Sequence, residues 1–156
     1  MGTKYQGTAE EISALNTYIA LTRAAESVID RTNHHLHNYH LSTSQFAVLE
    51  ALYHLGTLSQ VELARKLLKS TGNMTTVLQN LERAGLICRE RDRDDQRYIR
   101  VSLLQAGRAL VEQILPVHVA GIVRDLSVLT PDEQRQLTAL CRKLGLQQRT
   151  DMTEGK

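Results

Sequence analysis

The chain has no tryptophan, one phenylalanine, two prolines and two cysteines in 156 residues. With aromatics at 4%, the core has to be aliphatic, and the 42% hydrophobic content is enough to build one. This is not the composition of a disordered chain. Cys88 and Cys141 are too few and too far apart for a disulfide framework or a metal knuckle; they read as two small buried hydrophobes. No stretch reaches the roughly 18 uninterrupted apolar residues that span a bilayer, so no membrane partner is expected. Met1–Glu11 is polar and lacks a secretory hydrophobic region, which points to the cytoplasm. Net charge is only +2. Any attraction to nucleic acid therefore has to come from local residues, not from the whole surface.

Periodicity and capping divide the chain into helices and one hairpin. From Ile12 to about Tyr39 there is no Pro or Gly, and Ile12, Leu15, Ile19, Val28, Ile29, Thr32 and Leu36 recur at helical spacing. Ser42 and Gln45 form a capping box before a short apolar helix that Gly56 ends; Ser59 and Glu62 form a second one. The second box opens a helix carrying Val61, Leu63, Ala64, Leu67 and Leu68. After Ser70-Thr71-Gly72 a third helix buries Met74, Val77, Leu78 and Leu81, and Gly85 ends it. Leu86–Glu90 and Tyr98–Leu103 read as strands around a charged turn. A long helix follows from Gln105, with Pro116 as its expected kink. Thr130-Pro131-Asp132-Glu133 starts a last helix whose buried face is Leu137, Leu140, Cys141 and Leu144; the tail after Gly145 is expected to fray.

Three short helices followed by a hairpin is the order of a winged helix-turn-helix, whose second paired helix enters the major groove. The fold class is thus mainly α with a small β-hairpin wing, flanked by long terminal helices. With the apolar stripe of 70–84 inward, the outer face carries Asn73, Thr75, Thr76, Gln79, Asn80 and Arg83. Asn and Gln can read adenine edges, Arg can read guanine, and a Thr methyl can meet a thymine methyl. Ser70 and Thr71 stand at the helix N-terminus, where hydroxyls and free N–H groups favour a phosphate. An ordinary solvated face is the competing reading. In the hairpin turn Arg91, Arg93 and Arg97 are nearly cancelled by Asp92, Asp94 and Asp95. That is either a charge-balanced loop, or a tip whose Arg93 or Arg97 enters a minor groove, steadied by an Asp. The terminal helices carry more apolar stripe than one lobe can cover, so a two-fold homodimer is expected. It would present two recognition helices to half-sites about 34 Å apart.

The order of elements resembles the MarR family of bacterial transcriptional regulators over nearly the whole chain. Leu63–Leu68, Thr71–Leu78 and Asn80–Ile87 are similar to that family's recognition region. Its wing pattern, Asp-x-Arg, five residues, Leu-Thr, two residues, Gly, reads here Asp95-Gln96-Arg97, then Leu103-Leu104, then Gly107. Leu104 stands where the family has the Thr that caps the following helix; Ser102 with Gln105 offers a substitute capping box. The resemblance implies one MarR-type domain over 1–156. Its DNA-binding lobe would span 42–103, and its dimerisation helices 10–40 and 104–148. It implies that Arg97 is the wing-tip minor-groove residue and Asp95 its orienting partner. The expected DNA-contacting set is Ser59, Gln60, Ser70, Thr71, Asn73, Thr75, Thr76, Gln79, Asn80, Arg83, Arg93, Asp95 and Arg97. The expected partner is double-stranded DNA bearing a pseudo-palindromic operator, with repression or activation relieved by a small-molecule effector, a metal or an oxidant in a crevice between the dimerisation and DNA-binding regions.

No cofactor is indicated, nor an enzyme: the chain has no nucleophile–base signature, Gly-rich phosphate loop or paired acids in a defined frame. Three inputs compete as the effector. His34, His35, His37 and His40 cluster; His34 and His37 can share a helical face, and His118 can approach in the fold, a pattern open to a metal as well as to plain solvation. Cys88 and Cys141 lack a resolving partner for redox sensing. The run Val48–His54 lies beside the family's usual crevice and resembles members that answer phenols and quinones, making a small aromatic effector the leading expectation. A protein-interaction adaptor that uses the winged fold without DNA is the reading from another class.

Overall fold

A computed structural model describes residues 2–67, 70–92 and 95–145. Helix α1 spans Ala9–Asn33 and starts at a capping box that the sequence reading placed no element on: Thr8 Oγ1 accepts from Glu11 N while Glu11 holds the Thr8 N–H. The helix does not run on to Tyr39. A 3-10 helix, His34–Tyr39, replaces its last turns, and His40 closes it at φ 54, a left-handed conformation that histidine tolerates better than most residues. This change of pitch turns the buried Leu36 and Leu41 into the core.

Helix α2 (Thr43–Leu55) follows the Ser42–Gln45 capping box and ends at Gly56. Strand β1 (Leu58–Ser59), α3 (Gln60–Lys66), α4 (Thr71–Arg83), β2 (Ile87–Arg91) and β3 (Ile99–Leu103) complete the lobe. The sheet is antiparallel in the order β1-β3-β2, with Leu58 opposite Val101 and Arg89 opposite Val101 on the other edge. Two paired residues make β1 too short to show an alternation. Leu68, expected in α3, and the tail after Gly145 lie outside the described residues.

Phe46, Leu49, Leu52, Leu63, Met74, Leu78, Leu81, Ile87 and Val101 are packed into one aliphatic core, each almost fully buried. Helix α4 leaves that core through a left-handed glycine. Gly85, at φ 69, lets its N–H reach Glu82 O at 2.9 Å and the Leu86 N–H reach Leu81 O at 3.0 Å, the double closure of a Schellman motif.

Helix α5 (Gln105–Leu126) carries Gly107, Val111, Ile114 and His118 inward against the lobe and α1. Its length and composition would suffice to cross a bilayer; its buried residues pack it against α1 and α2. The Ser102–Gln105 capping box does not form. Ser102 Oγ is drawn 2.8 Å from Thr57 Oγ1 across the sheet, so α5 starts on Leu104 with no side-chain cap. Helix α6 (Pro131–Gly145) begins at the Thr130–Glu133 capping box. It buries none of its residues: Leu137, Leu140, Leu144 and Cys141 are all exposed in the single chain. The expectation of two buried cysteines is therefore corrected, since Cys141 is exposed and Cys88 half-buried. Cys141 sits on an apolar stripe that this chain alone leaves uncovered.

Candidate nucleic-acid interface

Helix α4 has two chemically distinct faces. Met74, Leu78 and Leu81 are at most 1% exposed, and Val77 is half-buried. Asn73, Thr76, Gln79, Asn80 and Arg83 are exposed. Ser70, the exposed N-cap, accepts from Asn73 N at 3.4 Å and so satisfies one of the free N–H groups of the first turn. Polar side chains on the open face of a helix held by its apolar side have little to do for stability, so they remain available to a partner.

Three members of the expected set are placed differently from the rest. Thr75 is half-buried, with Gln60 Nε2 donating to its Oγ1 at 2.8 Å; this clip joins the starts of α3 and α4 and leaves Gln60 Oε1 buried without a partner. Ser59 is 9% exposed and caps α3, its hydroxyl shared between Glu62 N and Glu62 Oε2. Its hydroxyl is thus committed inside the lobe. The Ser59 contacts hold the Glu62 carboxyl below its usual pKa. The Thr71 side chain and Arg93 lie outside the described residues.

The wing tip is organised by side-chain-to-backbone bonds. Asp92 Oδ1 accepts from Asp95 N at 3.2 Å, and Asp92 N donates to Tyr98 O at 2.9 Å. Asp95 then grips Arg97 at three points. Its Oδ1 accepts from Arg97 N and Nε, both at 3.0 Å, and its Oδ2 accepts from Nη2 at 2.8 Å. Arg97 is 86% exposed along its side chain and still has its guanidinium fixed. Pairing holds the Asp95 carboxyl below its ordinary pKa and raises that of Arg97. A guanidinium has five N–H donors, and this grip leaves most of them facing outward. Of the family's wing pattern, Asp95 and Arg97 are in contact, whereas Gly107 lies at the start of α5 against Leu86 and Leu103.

One link was not anticipated. Arg89 of β2 donates to Glu82 Oε2 of α4 through Nε at 2.9 Å and Nη2 at 2.6 Å. That bond lowers the Glu82 pKa and fixes the wing's edge strand, β2, to α4. Helical periodicity cannot reveal it, because the partners sit on different elements.

Between α1 and α5 a crevice of about 560 Å³ is lined by Arg31, Thr32, His34, His35, Asn38 and Arg124, among others. Arg31 Nε reaches the buried Asp125 at 2.8 Å, whereas Arg124 is 78% exposed and only 3.9 Å from the same carboxylate. The histidines divide into two pairs. His34 and His37 lie edge to face at 5.7 Å, and His35 meets His118 at 5.3 Å. Among the described residues no three His, Cys, Asp or Glu side chains converge as a metal site. In the Val48–His54 run, Val48, Leu49 and Leu52 are core residues, and Tyr53 lies under Arg108 at 5.1 Å.

Residues 41–99 match the model of the MarR family. Over 138 residues the chain is 36% identical to the uncharacterized HTH-type transcriptional regulator YkoM of Bacillus subtilis (strain 168), spanning 88% of this chain and 90% of the relative. It is 34% identical over 133 residues to the HTH-type transcriptional regulator MhqR of the same strain, at 85% and 92% coverage. Among solved structures, Bordetella bronchiseptica BpsR, whose DNA binding is regulated by 6-hydroxynicotinic acid, superposes with TM-score 0.76 at 26% identity, covering 83% of this chain and 98% of that one. A cysteine-to-serine mutant of E. coli MarR complexed with operator DNA gives TM-score 0.75 at 26% identity over 89% and 99%.

Proposed function

The chain belongs to the MarR family of winged helix-turn-helix transcriptional regulators, a DNA-binding protein and not an enzyme, and from that premise we propose that it is a cytoplasmic, homodimeric repressor released by a small aromatic acid. The observation that carries the DNA contact is the bare polar face of α4 beside a wing arginine already held in one orientation. On this reading Asn73, Thr76, Gln79, Asn80 and Arg83 meet base edges or backbone in the major groove, Ser70 and the first-turn N–H groups meet a phosphate, and Arg97 enters the adjacent minor groove. Gln60 and Thr75 act as the clip that sets the angle of α4. Unbiased selection of duplex DNA tests it. The unsubstituted chain is expected to return a pseudo-palindromic site. Asn73→Ala or Gln79→Ala is expected to relax one position per half-site, worth about 1–3 kcal/mol at the contacted base. An unchanged site from both variants would remove α4 as the reading element.

The dimer reading rests on apolar surface without cover. Leu140 is 60% exposed and Leu144 53%, and α1 and α5 add Tyr18 at 65% and Val123 at 64%. Surface of that kind on elongated terminal helices is what a two-fold partner buries. Sedimentation is expected to give about twice 17.6 kDa, and a Leu140→Glu, Leu144→Glu double variant is expected to shift toward the monomer. A monomeric unsubstituted chain at micromolar concentration would reject the assembly.

The effector reading is supported by the crevice beside Arg124. It is large enough for one aromatic ring, and its rim offers a lightly engaged guanidinium with Asn38 for polar groups. BpsR, regulated by 6-hydroxynicotinic acid, supports a hydroxylated aromatic carboxylate as the class. Repeating the selection with 6-hydroxynicotinate present tests this; undiminished recovery with that compound and with simple phenols would reject it.

A further inference from the structure

Two imidazoles from distant parts of the chain meet where the helical region joins the DNA-binding lobe. His35 belongs to the 3-10 helix after α1, and His118 to the middle of α5. Their ring centroids are 5.3 Å apart with planes inclined at 42°. Phe46 of α2 closes the other side, edge-on to His118 at 4.9 Å. His118 is 8% exposed. Its Nδ1 and the Nε2 of His35 are both buried with no hydrogen-bond partner. Buried polar atoms are nearly always satisfied in folded proteins, because an orphan forfeits its hydration. Two neighbouring orphans on the same kind of side chain point to a ligand that takes both.

The chemistry of the two atoms narrows the class of ligand: imidazole nitrogens are the commonest protein ligands of transition metals. The spacing fits as well. Two imidazoles each roughly 2 Å from one tetrahedral ion have ring centres about 5 Å apart.

We propose that His35 and His118 form an open two-imidazole site for a late first-row divalent ion of the zinc, nickel or copper class. Nitrogen ligands select these ions over magnesium and calcium, which take oxygen. No third protein ligand converges among the described residues, so water or an anion from the adjoining crevice, which His35 also lines, fills the remaining positions. A site with two protein ligands is exchangeable and not a structural staple. It connects the end of α1 to α5, with α2 packed against it, the joint on which the DNA-binding lobe is carried. The site shares His35 with the crevice of the aromatic-effector reading, but its test needs neither that effector, nor DNA, nor a dimer.

The test uses the full chain without a histidine tag, stripped of metal by a chelator. Cobalt(II) is titrated and followed by its visible absorption, and zinc(II) is titrated by calorimetry. One ion per protomer is expected, with His35→Gln and His118→Gln each weakening it by roughly tenfold or more. His34→Gln and His37→Gln, which alter the neighbouring ring pair, are expected to leave it unchanged. Metal-free melting curves show whether each variant is folded; should His118→Gln be unfolded, the half-buried His35 decides the matter alone. No binding at millimolar ion, or binding that survives His35→Gln and disappears with His34→Gln, overturns the proposal.

Discussion

The Arg97→Ala protein is expected to bind operator DNA roughly ten- to a hundredfold more weakly than the unsubstituted chain at physiological salt, with its fold intact. The fold should survive because Arg97 is 86% exposed and touches only its own turn. Affinity should fall because its orientation is fixed in advance. Asp95 holds Nε and Nη2 and leaves the rest of the guanidinium outward, so little rotamer freedom remains to be lost on binding. Losing one cation per wing should also make log affinity less steep in log salt, by about one unit for each backbone-type contact removed. Gel shifts at several salt concentrations check both. Equal affinity and equal slope for the two proteins would mean that the wing does not meet DNA.

Asp95 separates two explanations, because its charge opposes DNA while its grip orients Arg97. If orientation dominates, Asp95→Asn weakens binding, though less than Arg97→Ala; if repulsion dominates, it tightens it. The first is expected, since the Asp95–Arg97 pair has bidentate geometry. The pH response follows from the depressed carboxyl pKa. A carboxylate whose folded pKa is lowered stays ionised above its unfolded value and loses its contribution only as pH falls through the folded one. The grip should therefore persist from neutral pH down to about pH 4, the ordinary Asp range.

The local features of this lobe were legible because their causes are local. A capping box involves two residues three apart, so those at Ser42, Ser59 and Thr130 were visible in the chain and recur in the structure. The two faces of α4 follow from a period of 3.6, and burial of Met74, Leu78 and Leu81 reproduces it. What escaped depends on pairs far apart in sequence. Ser102 faces an equal choice between Gln105 and a partner across the sheet, and only the sheet decides for Thr57. Arg31 with Asp125, and Glu82 with Arg89, leave no periodic trace. The stop of α1 at Asn33 was missed because no Pro or Gly marks it; the 3-10 turn arises from seating Leu36 and Leu41 in the core. Cys141 was misjudged for a related reason. An apolar stripe says that something covers a face, not that the same chain does.

Gly107→Ala is expected to destabilise the protein, and Gly121→Ala, fourteen residues along the same helix, is expected to do the opposite. Alanine gains up to about 1 kcal/mol over glycine in a helix interior, and at Gly121 a new Cβ meets nothing within 4 Å. At Gly107 the same carbon would lie 2.2 Å from Leu86 O and 2.8 Å from Leu103 Cδ1. The leucine methyl can swing aside, but the carbonyl cannot. It accepts from Leu104 N at 3.0 Å, while the Leu86 N–H closes α4 on Leu81 O at 3.0 Å. Leu86 is thus the seam among recognition helix, wing and α5, and moving it by roughly 1 Å disturbs all three. Overpacking of this kind costs about 1–3 kcal/mol, more than the helix gain recovers. Thermal melts at matched protomer concentration should show Gly107→Ala lowered by several degrees. They should show Gly121→Ala unchanged or raised. Operator affinity should fall with Gly107→Ala alone, because the angle between α4 and the long helices sets the spacing of the two half-sites. Shifts of the same sign for both variants would mean that α5 has slack at its start, and that close approach to Leu86 is not what a glycine at 107 provides.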